Sequence, residues 1–153
     1  MDAEELLKIA AQAVKDKQRI YDYRTEKINS TIKNQKYQPS VAGQTTSSPM
    51  DSIDQMLDKQ LHVFDEREKE CDCIIDTAWN VLEQLSRRRS VELEQILSAR
   101  YMFNESWTKI AHAHGYKSHN TVISKAKQAI DWLDYHYQFS YLPTGQINVI
   151  PLV

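Results

Sequence analysis

Residues 106–122 read SWTKIAHAHGYKSHNTV, and this stretch decides how the second half of the chain folds. Ser106 and Ser118 each precede a helix-forming segment, where a serine oxygen accepts a hydrogen bond from the first turn. Gly115 lies between the two segments and ends the first, because glycine readily adopts the left-handed backbone that closes a helix. The stretch therefore predicts two helices joined by a short turn, and the second begins at His119 and runs to Leu133.

A third helix is predicted upstream of this pair. Ser90 is a plausible N-cap, Glu92 and Glu94 occupy the favoured first turn, and Asn104 lies near the end. A helix, a glycine-containing turn and a capped second helix are the outline of a helix-turn-helix. The shared core is predicted from the small and branched apolar residues Ile110, Ala111, Val122, Ala126 and Ile130.

The exposed start of the last helix carries side chains that suit DNA. Asn120 can pair bidentately with adenine, Thr121 can touch a thymine methyl or a phosphate, and lysines with the helix N-terminus can hold phosphates. Each residue alone is more simply solvated surface, and Ser118 simply a cap; the cluster favours DNA. The predicted DNA-binding residues are Arg87, Arg88, Arg89, Lys117, Ser118, His119, Asn120, Thr121, Ser124 and Lys125.

A family resemblance rests on several short motifs of this segment. They are Leu97-Ser-Ala-Arg-Tyr101, Ser106-Trp-Thr-Lys-Ile-Ala111, Gly115-Tyr116, Ser118 and Ala129-Ile-Asp-Trp-Leu133. Together with the long helix before them, they resemble phage-encoded regulators of the ArpU/RinA type over about residues 50–135. Those proteins are similar to sigma factor region four. The resemblance implies control of phage or prophage transcription by binding promoter-proximal DNA.

A second, local resemblance covers the turn and the start of the last helix. Residues 115–122 are similar in spacing to the DNA-binding signature of the replication initiator DnaA. This likeness implies base or phosphate contacts by His119 and Thr121, and core packing by Val122. Neither resemblance extends to an ATP-binding module or a full sigma factor.

The first half of the chain predicts two long amphipathic helices. Residues 1–36 repeat Leu7, Val14, Tyr21 and Ile28 every seven positions, residues 37–50 form a linker rich in proline and hydroxyl residues, and residues 51–86 follow a heptad seam. That seam consists of Leu57, Leu61, Phe64, Glu68, Cys71, Ile75, Ala78, Leu82 and Leu85. Its partner is either the first helix, in an antiparallel hairpin, or a second chain.

Glu68 interrupts the apolar seam and has two interpretations. It is a solvated break, which we favour, or a polar residue that pairs across the interface and sets the register. Cys71 is expected to be a small core residue, and Cys73 lies on the adjacent face. Two cysteines at this spacing form neither a disulfide framework nor a usual zinc site, so we expect reduced thiols.

Composition and charge narrow the class of protein. The 153 residues are 41% hydrophobic and 26% charged, with only 3 Gly, which favours an all-α fold. The net charge of −2 hides an asymmetry, since residues 51–83 sum to −7 and residues 84–133 to +4. The longest apolar runs are too short to span a membrane, so we expect a cytoplasmic protein. The resemblance to phage-encoded regulators implies that this is the cytoplasm of a bacterial host.

No catalytic constellation, metal site or cofactor motif is evident, so we expect no enzyme activity and no cofactor. The predicted organisation is a coiled-coil hairpin, a helix-turn-helix domain at 87–137, and a tail at 138–153 that forms a small hairpin or adds a strand to another chain. The leading hypothesis is a dimeric, sequence-specific binder of double-stranded DNA. The alternative is an adaptor whose coiled coil and helix-turn-helix bind a protein such as RNA polymerase.

Overall fold

The computed structural model describes residues 1–36 and 49–152, and within these it is mostly helical. The elements are α1 (Ala3–Lys36), α2 (Pro49–Arg88), α3 (Val91–Leu97), a π-helical turn (Ser98–Met102), α4 (Trp107–Ala113), α5 (His119–His136), β1 (Tyr137–Tyr141) and β2 (Ile147–Pro151). The predicted all-α class with a short β tail is confirmed. The predicted linker lies outside the described residues except for its last two positions, which begin α2.

The chain divides into two compact units, and each unit takes part of both long helices. Residues 1–15 and 70–153 form the larger unit, and residues 16–69 form the smaller one. The beginning of α1 is thus grouped with the end of α2, and the end of α1 with the beginning of α2.

A single apolar core fills the larger unit. Its fully buried large side chains come from α1, α2 and the helix-turn-helix alike, and they are Leu6, Leu7, Leu82, Leu85, Ile96, Leu97, Ile110, Val122 and Leu133. Burying one such side chain contributes about 1.5–3 kcal/mol. The three short helices therefore share their core with both long helices instead of forming an independent bundle.

The buried stripe of α1 departs from the predicted heptad. Leu7 is buried, but Tyr21 is 66% exposed and Ile28 is 41% exposed, while Ala10 and Ile20 are buried. Tyr21 is eighteen residues after Ala3 and Ile28 is eighteen residues after Ala10, so on a straight helix both lie on the side that is buried at those two alanines. Their exposure means that this side of α1 is no longer covered in the second part of the helix.

In the smaller unit, Glu68 is paired and is not a solvated break. An Arg24 Nη2 atom lies 3.1 Å from Glu68 Oε2 and 2.8 Å from Asp65 Oδ1, so one guanidinium bridges two carboxylates of α2. The Tyr23 ring meets the Phe64 ring edge-on at 5.5 Å. The interpretation of Glu68 as a register-setting residue that pairs with the other helix is therefore the one that the structure supports.

The segment between α3 and α4 is held by a cap, a π-helical turn and an arginine. Ser90 caps α3, as predicted, by accepting a hydrogen bond from the Leu93 N–H. Beyond the π-helical turn, Asn104 has a positive φ of 54°. Arg100 then donates to the Glu105 carbonyl at 3.1 Å and covers the Trp107 ring at 4.7 Å, which fixes the start of α4.

The tail forms the predicted hairpin. Tyr137 is both the C-cap of α5, donating its N–H to the Leu133 carbonyl, and the first residue of β1. β1 and β2 pair antiparallel from Tyr137 opposite Pro151 to Tyr141 opposite Ile147. Tyr137, Phe139 and Ile147 are buried in the core of the larger unit, so the hairpin is part of that unit.

Asn104 provides a test of this backbone. Replacing Asn104 by Ala should lower the free energy of unfolding by about 1 kcal/mol, because the left-handed conformation penalises a Cβ without a compensating polar group. Asn104→Gly should be neutral or stabilising. Urea unfolding followed by circular dichroism measures both changes.

The same exchange at Asn80 is the control, since Asn80 is exposed within α2. There alanine is the better helix former, and Asn80→Ala should stabilise slightly. Equal effects of alanine at the two positions would contradict the left-handed conformation at Asn104.

Candidate nucleic-acid interface

The α5 helix is anchored along one side and capped at its start. Val122, Ala126, Ala129 and Leu133 are buried at helical spacing, and α5 packs against both α3 and α4. The Ser118 side chain accepts a hydrogen bond from the Asn120 N–H at 3.2 Å, which confirms the predicted cap. The exposed side of the first turns of α5 therefore has a fixed orientation relative to the core.

The turn before α5 has the left-handed conformation that was predicted at Gly115. Gly115 has a φ of +77°, and the Tyr116 N–H reaches back to the Ala111 carbonyl at 2.9 Å. Ser106 caps α4 by accepting a hydrogen bond from the Lys109 N–H. The two helices and their tight turn therefore have the local structure of a helix-turn-helix.

Four of the predicted DNA-binding residues come together on one exposed surface, which we call the α5 face. They are His119, Asn120, Thr121 and Ser124, all exposed in the first two turns. Lys127 and Gln128 are exposed as well and extend the face by one turn, since they lie seven and eight positions after Asn120. The sequence prediction stopped at Lys125 and missed both, although the helical spacing from Asn120 points to them.

Lys125 follows these residues in α5, but its side chain is engaged by other parts of the protein. Its Nζ lies 3.3 Å from Glu92 Oε2 of α3, and it sits 5.3 Å from the centre of the Tyr116 ring. The Lys125 side chain is 30% exposed, and the Tyr116 hydroxyl is hydrogen-bonded to the same Glu92 carboxylate. Lys125 thus links α5 to α3 and to the turn, with much of its charge compensated by Glu92.

The three consecutive arginines have three different surroundings. Arg87 pairs with Glu83 one turn earlier at 2.6 Å. Arg88 donates to the Tyr137 hydroxyl at 3.1 Å and lies over the Trp132 ring at 5.8 Å, so it connects α2 to the hairpin and α5. Arg89 is exposed after the end of α2, and no ion pair involves it within residues 1–36 and 49–152.

Two lysines next to the α5 face are also available for phosphate. Lys117, in the turn, and Lys127, in the helix, are both exposed, and neither has a carboxylate partner in the described part of the chain. Lys109, by contrast, pairs with Glu105. Two exposed lysines without an ion-pair partner in the described residues therefore lie next to the α5 face, and the exposed Asp131 follows Lys127 by one turn.

Two other kinds of site find no support in the described residues. No group of three or more His, Cys, Asp or Glu side chains there is arranged to hold a metal ion. None of the helices described has an apolar stretch long enough for a membrane crossing.

Comparison with known proteins adds no identification. Neither a family model, nor a curated protein, nor a solved structure matches this sequence.

The contacts of Glu92 predict an acid-dependent stability. The Tyr116 hydroxyl, and then Lys125, hold the pKa of Glu92 below its usual value. A carboxylate with a depressed folded-state pKa contributes stability that is present above its unfolded pKa and lost as the pH falls through the folded pKa. Glu92→Gln should therefore destabilise at pH 7, by less than about 1 kcal/mol for a partly exposed group, and have little effect below the folded pKa.

Glu94, on the same helix, is the matched control because its pKa shift has the opposite sign. Burial raises the pKa of Glu94 above its usual value. Its ionisation thus opposes folding, so the stability of Glu94→Gln relative to the parent should improve as the pH rises through that pKa. Urea unfolding from pH 3 to 7 measures both variants, and parallel pH profiles would contradict the assignment.

Proposed function

We propose that this chain is a sequence-specific binder of double-stranded DNA that regulates transcription through α5. The observation that carries the proposal is the α5 face: His119, Asn120, Thr121 and Ser124 are exposed together at the start of a capped helix whose other side is buried. In helix-turn-helix proteins, the N-terminal residues of the second helix are the ones that reach base edges in the major groove.

The chemistry of the α5 face suits base recognition. Asn120 offers an amide that can pair with both N6 and N7 of adenine, and Gln128 offers the same group two turns later. Thr121 and Ser124 carry hydroxyls that donate and accept, and Lys127 can reach guanine or a phosphate. From His119 to Gln128, α5 carries no acidic side chain that would repel the DNA backbone; Asp131 is the first.

Phosphate contacts are expected at the borders of the same surface. Lys117 lies in the turn directly before the helix, and the N-terminus of the 18-residue α5 adds a partial positive charge. Arg89 supplies a further exposed cation between α2 and α3. The two remaining arginines and Lys125 are engaged in protein contacts, so we assign them to positioning the helices and not to DNA.

The regulatory role is supported by the family resemblance of the helix-turn-helix segment. This segment resembles regulators of the ArpU/RinA type. The resemblance implies that the target is a phage or prophage promoter, with RNA polymerase as a further partner. Site-specific DNA binding is the part of the proposal that the α5 face supports directly.

The test is selection of a preferred duplex from a random pool, followed by fluorescence anisotropy at several salt concentrations. We expect affinity to fall steeply with salt, as phosphate contacts release counterions. Asn120→Ala should reduce discrimination between the selected duplex and a scrambled one by about 1–3 kcal/mol, or roughly 5- to 150-fold.

Lys117→Ala should act differently from Asn120→Ala. It should weaken binding to both duplexes alike and reduce the salt slope by about 1. Lys69→Ala, at an exposed lysine of α2, is the matched control and should change neither affinity nor slope. Selection that yields no preferred sequence, or an Asn120→Ala variant that retains full discrimination, would reject the proposal and favour the adaptor alternative.

A further inference from the structure

The border of the α5 face that lies towards α3 carries an ion pair. Lys125 comes one helical turn after Thr121 and one turn before Gln128, so its side chain is next to two exposed members of the face. The Lys125 ammonium lies 3.3 Å from the carboxylate of Glu92 in α3. A carboxylate from another helix is thus placed beside the residues that are proposed to meet DNA.

The Glu92 carboxylate is held by two groups. The Tyr116 hydroxyl, in the turn before α5, donates a hydrogen bond to Glu92 Oε1, and the Lys125 ammonium donates one to Oε2. The same ammonium lies 5.3 Å from the centre of the Tyr116 ring. Because Tyr116 binds the carboxylate separately, the position of Glu92 does not depend on Lys125 alone.

The ion pair is accessible to solvent. The Lys125 side chain is 30% exposed and the Glu92 side chain is 38% exposed. An ion pair at this exposure contributes little to stability, because water screens the two charges. Lysine also carries its charge on a flexible four-carbon stem. The ammonium can therefore exchange one anion for another at little cost.

The carboxylate changes what this border offers to a phosphate. A lysine that binds a phosphate releases counterions from the DNA, and this release is the main source of sequence-independent affinity. A lysine paired with a carboxylate adds no net charge, and an approaching phosphate also meets the carboxylate itself. From His119 to Gln128, α5 has no acidic side chain, so Glu92 brings a negative charge that α5 does not carry there.

We propose that Glu92 limits the affinity of the α5 face for the DNA backbone by keeping Lys125 in an ion pair and away from phosphate. This inference rests on the proposed DNA binding by α5. Non-specific binding depends almost entirely on phosphate contacts. Glu92 therefore restrains binding to any duplex, and it does so without touching a base.

The first test is Glu92→Gln, measured by fluorescence anisotropy with a labelled duplex of mixed sequence at several salt concentrations. Glutamine keeps an oxygen that accepts the Tyr116 hydrogen bond but leaves Lys125 unpaired. We expect the salt slope to steepen by about 1 and the affinity to rise by up to about eightfold at 0.1 M salt, the effect of one added phosphate contact. A structural role alone predicts weaker binding, because losing the pair destabilises the fold.

A double variant tests whether Lys125 is the group that is released. Lys125→Met keeps most of the apolar stem but leaves the Glu92 carboxylate without its ammonium, so it should weaken binding. With Glu92→Gln and Lys125→Met combined, the border again has no net charge, and the affinity and salt slope should return to those of the parent. A double variant that binds as tightly as Glu92→Gln would overturn the inference.

Glu4→Gln is the matched control, because it also removes the carboxylate of a lysine–glutamate pair. Glu4 Oε1 lies 2.8 Å from the Lys8 ammonium in α1. This part of α1 is next to the end of α5, since the Asp134 carboxylate accepts a hydrogen bond from the Ala3 N–H at 2.7 Å. Asp134 is about 20 Å along the helix from Asn120, roughly two Debye lengths at 0.1 M salt. Glu4→Gln should change neither affinity nor slope.

The possible outcomes separate this inference from the DNA-binding proposal. If the parent and Glu92→Gln both fail to bind the duplex at low salt, the proposed function is rejected, and the inference with it. If the parent binds, an unchanged salt slope for Glu92→Gln, or an equal gain for Glu4→Gln, overturns the inference alone. Circular dichroism checks that each variant is folded.

Discussion

The apolar stripe on the buried side of α5 is the contact on which the larger unit depends. Val122, Ala126, Ala129 and Leu133 connect this helix to α3, α4 and the core that α1 and α2 complete. Two of the four are alanines, which let helix backbones approach closely. Because that side must be buried, the opposite side of the first turns is the one left to solvent, and the position of the α5 face follows from the core.

Local chemistry made much of this fold predictable. Ser90, Ser106 and Ser118 were all recognised as N-caps, since a cap depends only on the adjacent turn. Gly115 and the turn signal Pro143-Thr144-Gly145 likewise act over a few residues, and they predict the turn and the hairpin. The exposure of Tyr21 was not predictable in this way, because it depends on whether another segment covers that part of α1 and not on the residues adjacent in sequence.

The candidate site was predictable in its residue types and less so in their partners. Asn120 and Ser124 could be placed on an exposed face from the helical repeat alone. Lys125 could not be assigned, because its partner Glu92 lies 33 positions earlier and only the packing of α3 on α5 brings them together. Arg88 is similar: a basic run suggests phosphate contacts, whereas its hydrogen bond to Tyr137 depends on where the hairpin lies.

The junction at Tyr137 has a mechanical consequence. This residue ends α5 and begins β1 with no intervening loop, and its ring is buried. Because no loop intervenes and Tyr137 is fixed in the core, the hairpin cannot change its orientation without disturbing the last turn of α5 and the packing of this ring.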